Sequence, residues 1–424
     1  MIKGMSLESV LPTAPVEPLS SARIVLAGAL TLAVAMGIGR FAFTPLLPLM
    51  MQEGLIDAAV GAELAAVNYL GYLAGALTAA RLTRRPLRLV LACLLAITLL
   101  TASVGLVHSE ALWVGLRFAA GVASAWAMVG ISSWSLTSLA RRGQGALGAL
   151  VFGGVGGGIM LAGGLAWLAH ALGSRALWLQ LAGVAGILTG VVVGLTRVAS
   201  QAAPVRAGLP TQAAPARSDS PAWSSPPASA GLPTGSWPMV ICYGSFGFGY
   251  ILPATFLPAM ARALIDDPQR FGLAWPLFGL AALASTLVAV RGLQQWPPLR
   301  TWAVCQGAIG LGAALPLISQ TGAAIALAAM LVGGTFVVAT LIGMQQVRAQ
   351  TPHNPAPLLA RMTAAFALGQ ILGPLVVRVL SGLGLQWGPW GGLQITSAAA
   401  ALLMAASASW LWRQGAAAPH DKQN

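Results

Sequence analysis

A chain of 424 residues with 57% hydrophobic and only 8% charged residues cannot clothe a water-facing surface, since soluble domains carry about 25% charged residues. The net charge of +13 comes from 23 Lys and Arg against 10 Asp and Glu, but the basic residues fall in short clusters between apolar runs and form no aromatic-interleaved face for nucleic acid. Composition thus points away from a soluble fold and a nucleic-acid partner and toward an integral membrane protein, whose 51 glycines suit close helix–helix approach in lipid.

In chain order, residues 1–21 hold Glu8, Glu17, Pro12, Pro15 and Pro18 and lack the apolar centre of a signal peptide. They read as a disordered cytoplasmic leader. About 20 apolar residues span a bilayer, and twelve such runs follow. The first six lie at 24–50, 58–80, 89–107, 111–138, 146–169 and 175–196. The second six lie at 237–260, 271–290, 301–319, 323–347, 361–383 and 390–412. They are continuously apolar rather than alternating, which predicts transmembrane α-helices and not a β-barrel. Between the sets, residues 198–236 contain seven prolines among Ala, Ser and Gly, too little apolar surface for a core, so they read as a flexible linker. The plan is an all-α membrane protein with a six-helix bundle at 22–197, a cytoplasmic linker at 198–236, a second bundle at 237–413 and a tail at 414–424.

The arginines and lysines set an orientation. With the N-terminus cytoplasmic, seventeen lie on the inner side, three (Arg175, Arg262, Arg270) in outer loops, and three (Arg40, Arg117, Arg378) within helices. Positive charge collects on the cytoplasmic side, so both termini are expected there, in the inner membrane of the cell. Cys93, Cys242 and Cys305 lie in apolar runs without metal spacing, and His108, His170, His353 and His420 are scattered. No metal or cofactor site is expected.

The halves share a repeat. Helix one carries Gly37, Gly39, Leu47, Pro48 and Met50, and helix seven carries Gly247, Gly249, Leu257, Pro258 and Met260, all at an offset of 210 residues. With Pro45 and Pro253, these residues are expected to break or bend both helices near the middle and free backbone groups to line a cavity.

Twelve helices in two sixes, a long central loop, and Arg117-x-x-x-Gly121 in helix four resemble the major facilitator superfamily. The string GIGRFAFTPLLPLM, followed by Asn68-Tyr69-Leu70-Gly71-Tyr72-Leu73-Ala74-Gly75, resembles its YbfB/YjiJ branch. The resemblance implies alternating access, with two bundles rocking about a central site lined by helices one, four, seven and ten. Two departures stand out. The stretch Ala76–Arg85 keeps the basic residues of the superfamily's loop between helices two and three but lacks its Asp. Helix five has Phe152-Gly153-Gly154-Val155-Gly156-Gly157-Gly158 where an antiporter signature usually has Gly-Pro. That glycine run lies inside an apolar helix with no preceding strand, so it reads as a packing face and not a phosphate loop.

Ionisable residues inside a bilayer default to a functional role. Arg40, close to the middle of helix one, either faces a polar cavity or locks the helix to a neighbour's carboxylate or carbonyls. Arg117 lies nearer the outer end of helix four. Glu63, in the outer part of helix two, is the candidate for proton coupling, and its alternative is a helix-end carboxylate reaching interfacial water. Arg378 reads as a snorkelling or packing residue. Asn68, Tyr72, Tyr243, Tyr250 and Gln370 are neutral polar candidates, Tyr250 standing at the repeat position of Arg40. Trp126 and Trp134 are candidate cavity walls. Two buried arginines against at most one acid predict a net positive centre. The expected function is a monomeric secondary transporter and not an enzyme, moving a small solute, with an organic anion and proton linkage as the finer expectation. Efflux of apolar, drug-like compounds and a non-transporting receptor or scaffold are the alternatives.

Overall fold

The computed structural model describes residues 19–82, 85–201, 236–264, 267, 272–292, 296–351 and 356–417. Most of the leader, linker and tail expected from sequence therefore lies outside the described residues. Among the described residues, twelve helical rods carry the fold. The first half holds α1 (Ser21–Gln52), α2 (Ala58–Leu82), α3 (Pro86–Leu106), α4 (Glu110–Ala140), α5 (Gly148–Leu168) and α6 (Gly173–Gln201). The second holds α7 (Trp237–Leu264), α8 (Ala274–Gly292), α9 (Pro298–Ile318), α10 (Gly322–Gln350), α11 (Ala356–Gly382) and α12 (Gly392–Ala417). Eleven of these are long and apolar enough to cross a membrane, and α8 contributes a shorter apolar stretch, Ala274–Ala289. The protein is a multi-pass membrane protein. The sole β pairing among the described residues is one bridge between Trp387 and Trp390, in the turn between α11 and α12.

Local chemistry sets several ends. Pro86 and Pro298 open α3 and α9, where a missing N–H costs no intrahelical bond. Gly54 ends the α1 turn at φ +70°, a left-handed conformation that glycine adopts without strain. Next to it, Glu53 accepts from the backbone N–H of Ser174 at 2.7 Å and from the Ser174 hydroxyl, so the end of α1 caps the start of α6.

Small residues decide which helices touch. A Cβ on Gly154 of α5 would stand 1.9 Å from the Ala29 carbonyl oxygen of α1, and one on Gly37 would stand 2.4 Å from the Gly158 backbone. In the second half, a Cβ on Gly247 of α7 would stand 2.2 Å from the Phe366 carbonyl oxygen of α11. Gly37 and Gly247 are repeat partners, and each presses its helix against the fifth helix of its own half. The duplication read from sequence is thus a duplication of packing. The halves meet along α5 with α8, α2 with α11, and the far part of α1 with α7.

Arg142 at the end of α4 donates to the Leu19 carbonyl at 2.8 Å, and Gly415 at the end of α12 lies against Leu299 and Arg300 at the start of α9. These contacts mark one face of the bundle, called the terminal end below; the opposite face is the distal end. Burial differs between them. Residues 31–50 of α1 and 249–258 of α7, toward the distal end, are all buried, whereas Leu26, Trp237 and Ile241, toward the terminal end, are exposed.

The expected mid-helix breaks need one correction. Helix one does break, as a π segment from Ala33 to Ile38 followed by a turn to Ala42, before α-helix resumes at Phe43. The break falls at Gly37 and Gly39, not at Pro45 and Pro48, which sit inside the resumed helix. Helix seven stays one continuous α-helix with Pro253 and Pro258 inside it. A neighbour supplies what the second of those prolines removes. Pro258 has no N–H for the Ala254 carbonyl four residues back, and the Thr44 hydroxyl donates to that carbonyl at 3.0 Å. Gly249 packs against Met404 of α12 and breaks nothing.

Candidate functional site

The break in α1 builds the site. Across it the backbone N–H of Gly39 reaches Val34, and that of Phe41 reaches Met36, five residues back. The Thr44 N–H then bonds to Phe41, three back, leaving the Arg40 carbonyl without its usual donor. Arg117 of α4 fills the gap. Its guanidinium donates to the Arg40 carbonyl at 3.1 Å and the Gly39 carbonyl at 3.4 Å, and its central carbon lies 4.9 Å from the Phe43 ring centre. Asn68 of α2 donates to the Arg117 carbonyl at 2.8 Å. Asn68 and Arg117 therefore brace the broken helix and point their donors at backbone.

That brace holds Arg40 at the centre. Its residue is 3% exposed, and its guanidinium carbon lies 4.2 Å from the Tyr72 ring centre and 5.1 Å from those of Tyr69 and Phe41. It donates to the side-chain oxygen of Gln370, on α11 of the other half, at 2.6 Å. Gln370 in turn donates to the Tyr250 hydroxyl on α7. The Tyr250 ring stacks between Phe336 and Phe366, at 5.6 Å and 5.5 Å between centroids. The Nε atoms of Arg40 and of Arg117 are both buried with no hydrogen-bond partner.

Arg40 and Arg117 are the charged groups among the described buried residues, and no carboxylate is buried with them. Burying an ion costs several kcal/mol, and a desolvated cation–π contact returns about 2 kcal/mol or more. Arg117 has two carbonyls in compensation. Arg40 has rings and one neutral amide, so it keeps the larger unmet demand for an anion.

Glu63 lies apart from this centre. It pairs with Arg378 of α11 at 2.7 Å, the two side chains being 32% and 41% exposed, and Arg378 also reaches the Ala59 carbonyl of α2 at 3.4 Å. The arginine read as a snorkelling or packing residue thus has a partner in the other half. Tyr69 donates to or accepts from Thr255 of α7 at 2.9 Å, and with Thr44–Ala254 these contacts tie the halves on the distal side of Arg40. Trp126 donates to Thr78 of α2 at 2.9 Å, and Tyr72 reaches the Met128 sulfur at 2.7 Å. Tyr243 packs edge-on to Phe246 and Trp302, two turns from Tyr250. Sequence reasoning missed Tyr69, Phe41, Thr44 and Thr255. Tyr69 neighbours Asn68 on the same helix, and its ring beside a buried arginine was the available signal.

A buried, broken first helix and two duplicated six-helix sets match what comparison finds. The family described as "Uncharacterised MFS-type transporter YbfB" matches residues 32–411. The chain belongs to that family. It is a major facilitator transporter, of a class that carries small molecules and is not enzymatic. The D-xylose-proton symporter structure is similar with a TM-score of 0.67 at 13% identity, over 93% of this chain and 97% of that one. A bacterial homologue of the human lysosomal transporter Spinster, in an inward-facing and unoccupied conformation, gives 0.66 at 11% identity, over 94% and 98%. The nucleoside transporter NupG, as its D323A mutant, gives 0.64 at 15% identity, over 93% and 99%. At these identities the likeness shows the fold. The Na(+)/H(+) antiporter NhaA of Acidovorax sp. (strain JS42) is 36% identical over 138 residues, spanning 32% of this chain and 30% of that protein. The chain thus spans under a third of the length of that curated relative.

Proposed function

We propose that this transporter moves a small organic anion by alternating access, with the anionic group pairing to Arg40. The observation that carries the reading is a buried guanidinium with no carboxylate, bonded across the interface to Gln370. An incoming carboxylate outcompetes a neutral amide oxygen, because hydrogen bonds between ionised partners are roughly twice as strong as neutral ones. It takes the place of the Gln370 oxygen and removes a bond between the halves. Tyr250 and Gln370 then remain as polar groups for the rest of the solute, while Tyr69 and Tyr72 wall the site. Arg117 and Asn68 act as positioning residues.

The arginine distribution supports termini on the cytoplasmic side of the inner membrane. The distal end is then outward, and the closed distal contacts correspond to a carrier that opens inward. For proton linkage the candidate is Glu63, whose pair with Arg378 joins the two halves on the distal side.

The test is uptake of a panel of mono- and dicarboxylates by the purified protein in vesicles, beside Arg40→Lys, Arg40→Gln and Gln370→Ala. At least one carboxylate is expected to accumulate with the native chain, and to fall at least tenfold with Arg40→Gln while expression and melting temperature hold. Unchanged uptake in Arg40→Gln sinks the reading. A second reading, efflux of flat apolar compounds, draws on the cluster of Tyr243, Phe246, Phe336 and Phe366 around Tyr250. Resistance of cells to toxic planar compounds that survives Arg40→Gln selects it instead.

A further inference from the structure

Away from the centre, a shallow groove of about 370 Å³ lies on α9 and α12 toward the terminal end, lined by Ala303, Val304, Ala408, Ser409, Trp412 and Arg413. Its walls are small because Ala303 and Ala408 stand where larger side chains would interlock. Val304 and Trp412 are half-exposed along it, on helix faces outside the central site, so it opens sideways to the bilayer. Its mouth is cationic. Arg413 lines it, and Arg300, one turn before Ala303, holds its guanidinium carbon 5.5 Å from the Trp412 ring centre. The Arg300 Nε is buried without a hydrogen-bond partner. Neither α9 nor α12 contains an Asp or Glu, so no carboxylate on these helices neutralises the pair.

We infer that this groove holds one anionic phospholipid, its phosphate between Arg300 and Arg413 and one acyl chain along the apolar wall. Both arginines lie at helix ends, at headgroup depth, with a tryptophan beside them of the kind that marks the membrane boundary. A cleft that is basic at its mouth and apolar along its length fits both parts of a lipid. A free phosphate would leave the apolar wall unused, and a zwitterionic lipid would bring its own cation toward two arginines.

The experiment is native mass spectrometry of the full chain in detergent, with phosphatidylglycerol and phosphatidylcholine added at equal concentration. The expected result is one retained phosphatidylglycerol, preferred roughly thirtyfold, the size given by two arginines near a lipid surface at about 1 kcal/mol each. The pair Arg300→Gln with Arg413→Gln is expected to abolish the preference, whereas Arg300→Lys with Arg413→Lys keeps it. Arg85→Gln with Arg88→Gln, at the start of α3, leaves it unchanged. Equal retention of both lipids, full preference in the Gln pair, or self-association through this face in place of lipid overturns the proposal. Should the Gln pair fail to fold, the native chain decides: the preference must shrink as salt rises to 1 M, and one indifferent to salt also overturns it.

Discussion

Arg117 carries a charge into the membrane interior and turns its two terminal nitrogens to backbone carbonyls, those of Gly39 and Arg40. A neutral apolar replacement leaves the Gly39 and Arg40 carbonyls buried without a donor, at about 1–3 kcal/mol for an unsatisfied buried group. Arg117→Leu is therefore expected to lower the melting temperature and to impair every solute alike, because it relaxes the break that aims Arg40. Arg117→Lys restores part of that stability, since one ammonium reaches fewer acceptors than a forked guanidinium. A thermal-unfolding series of the three chains checks this. An Arg117→Leu chain as stable as the native one would mean that the carbonyls find another donor. Arg40 is expected to behave differently: its replacement removes transport and leaves the fold, because its partners are rings and a single amide.

The fifth helix does two jobs with one glycine run. Gly154 faces α1 within its own half, while Gly156 faces α8 of the other, where a Cβ would stand 2.4 Å from the Leu283 nitrogen. Gly157 meets nothing within 4 Å. Gly154→Val is expected to destroy folding, measured as loss of monodisperse protein after extraction. Gly157→Ala is expected to be neutral or to stabilise by up to about 1 kcal/mol, the helix preference of Ala over Gly. Equal behaviour of the two would contradict the packing described. Helices α2 and α11 supply the counterpart on the distal side. The Glu63–Arg378 pair is partly exposed, so it is worth about 1 kcal/mol or less. That still amounts to roughly a fivefold bias between two carrier states. Glu63→Gln is expected to widen the distance between spin labels at the distal ends of α2 and α11, because it removes the pair that joins them.

At the scale of the molecule, the twelve spans, their chain order and the duplication were legible, because apolar runs and a constant offset survive without knowledge of contacts. Most helix bounds lie within a few residues of the expected ones, and α6, ending at Gln201 where 196 was expected, shows how a span extends beyond its apolar part. The site was half legible. Arg40, Tyr72, Tyr250 and Gln370 stand out as polar groups in apolar helices, and they do converge. What sequence hid was pairing. Glu63 and Arg378 lie 315 residues apart, and nothing local to either says that α2 and α11 face each other. The proline signal misled for a related reason: Thr44, 214 residues before Pro258, supplies the hydrogen that keeps α7 whole.

Two buried guanidiniums with no acid beside them also make the empty carrier a charged object in an electric field. When access to Arg40 switches from one side to the other, the fall of the membrane voltage moves past a fixed positive charge. One elementary charge carried across 100 mV is worth about 2.3 kcal/mol. With the interior negative, the unloaded carrier is drawn toward the inward-open state, and a bound monoanion cancels one charge of this bias. Turnover in vesicles clamped with a potassium gradient is therefore expected to depend on voltage through the return of the empty carrier, and Arg40→Gln should weaken that dependence. The resting voltage of the cell would then act as a second, unbound effector of this transporter.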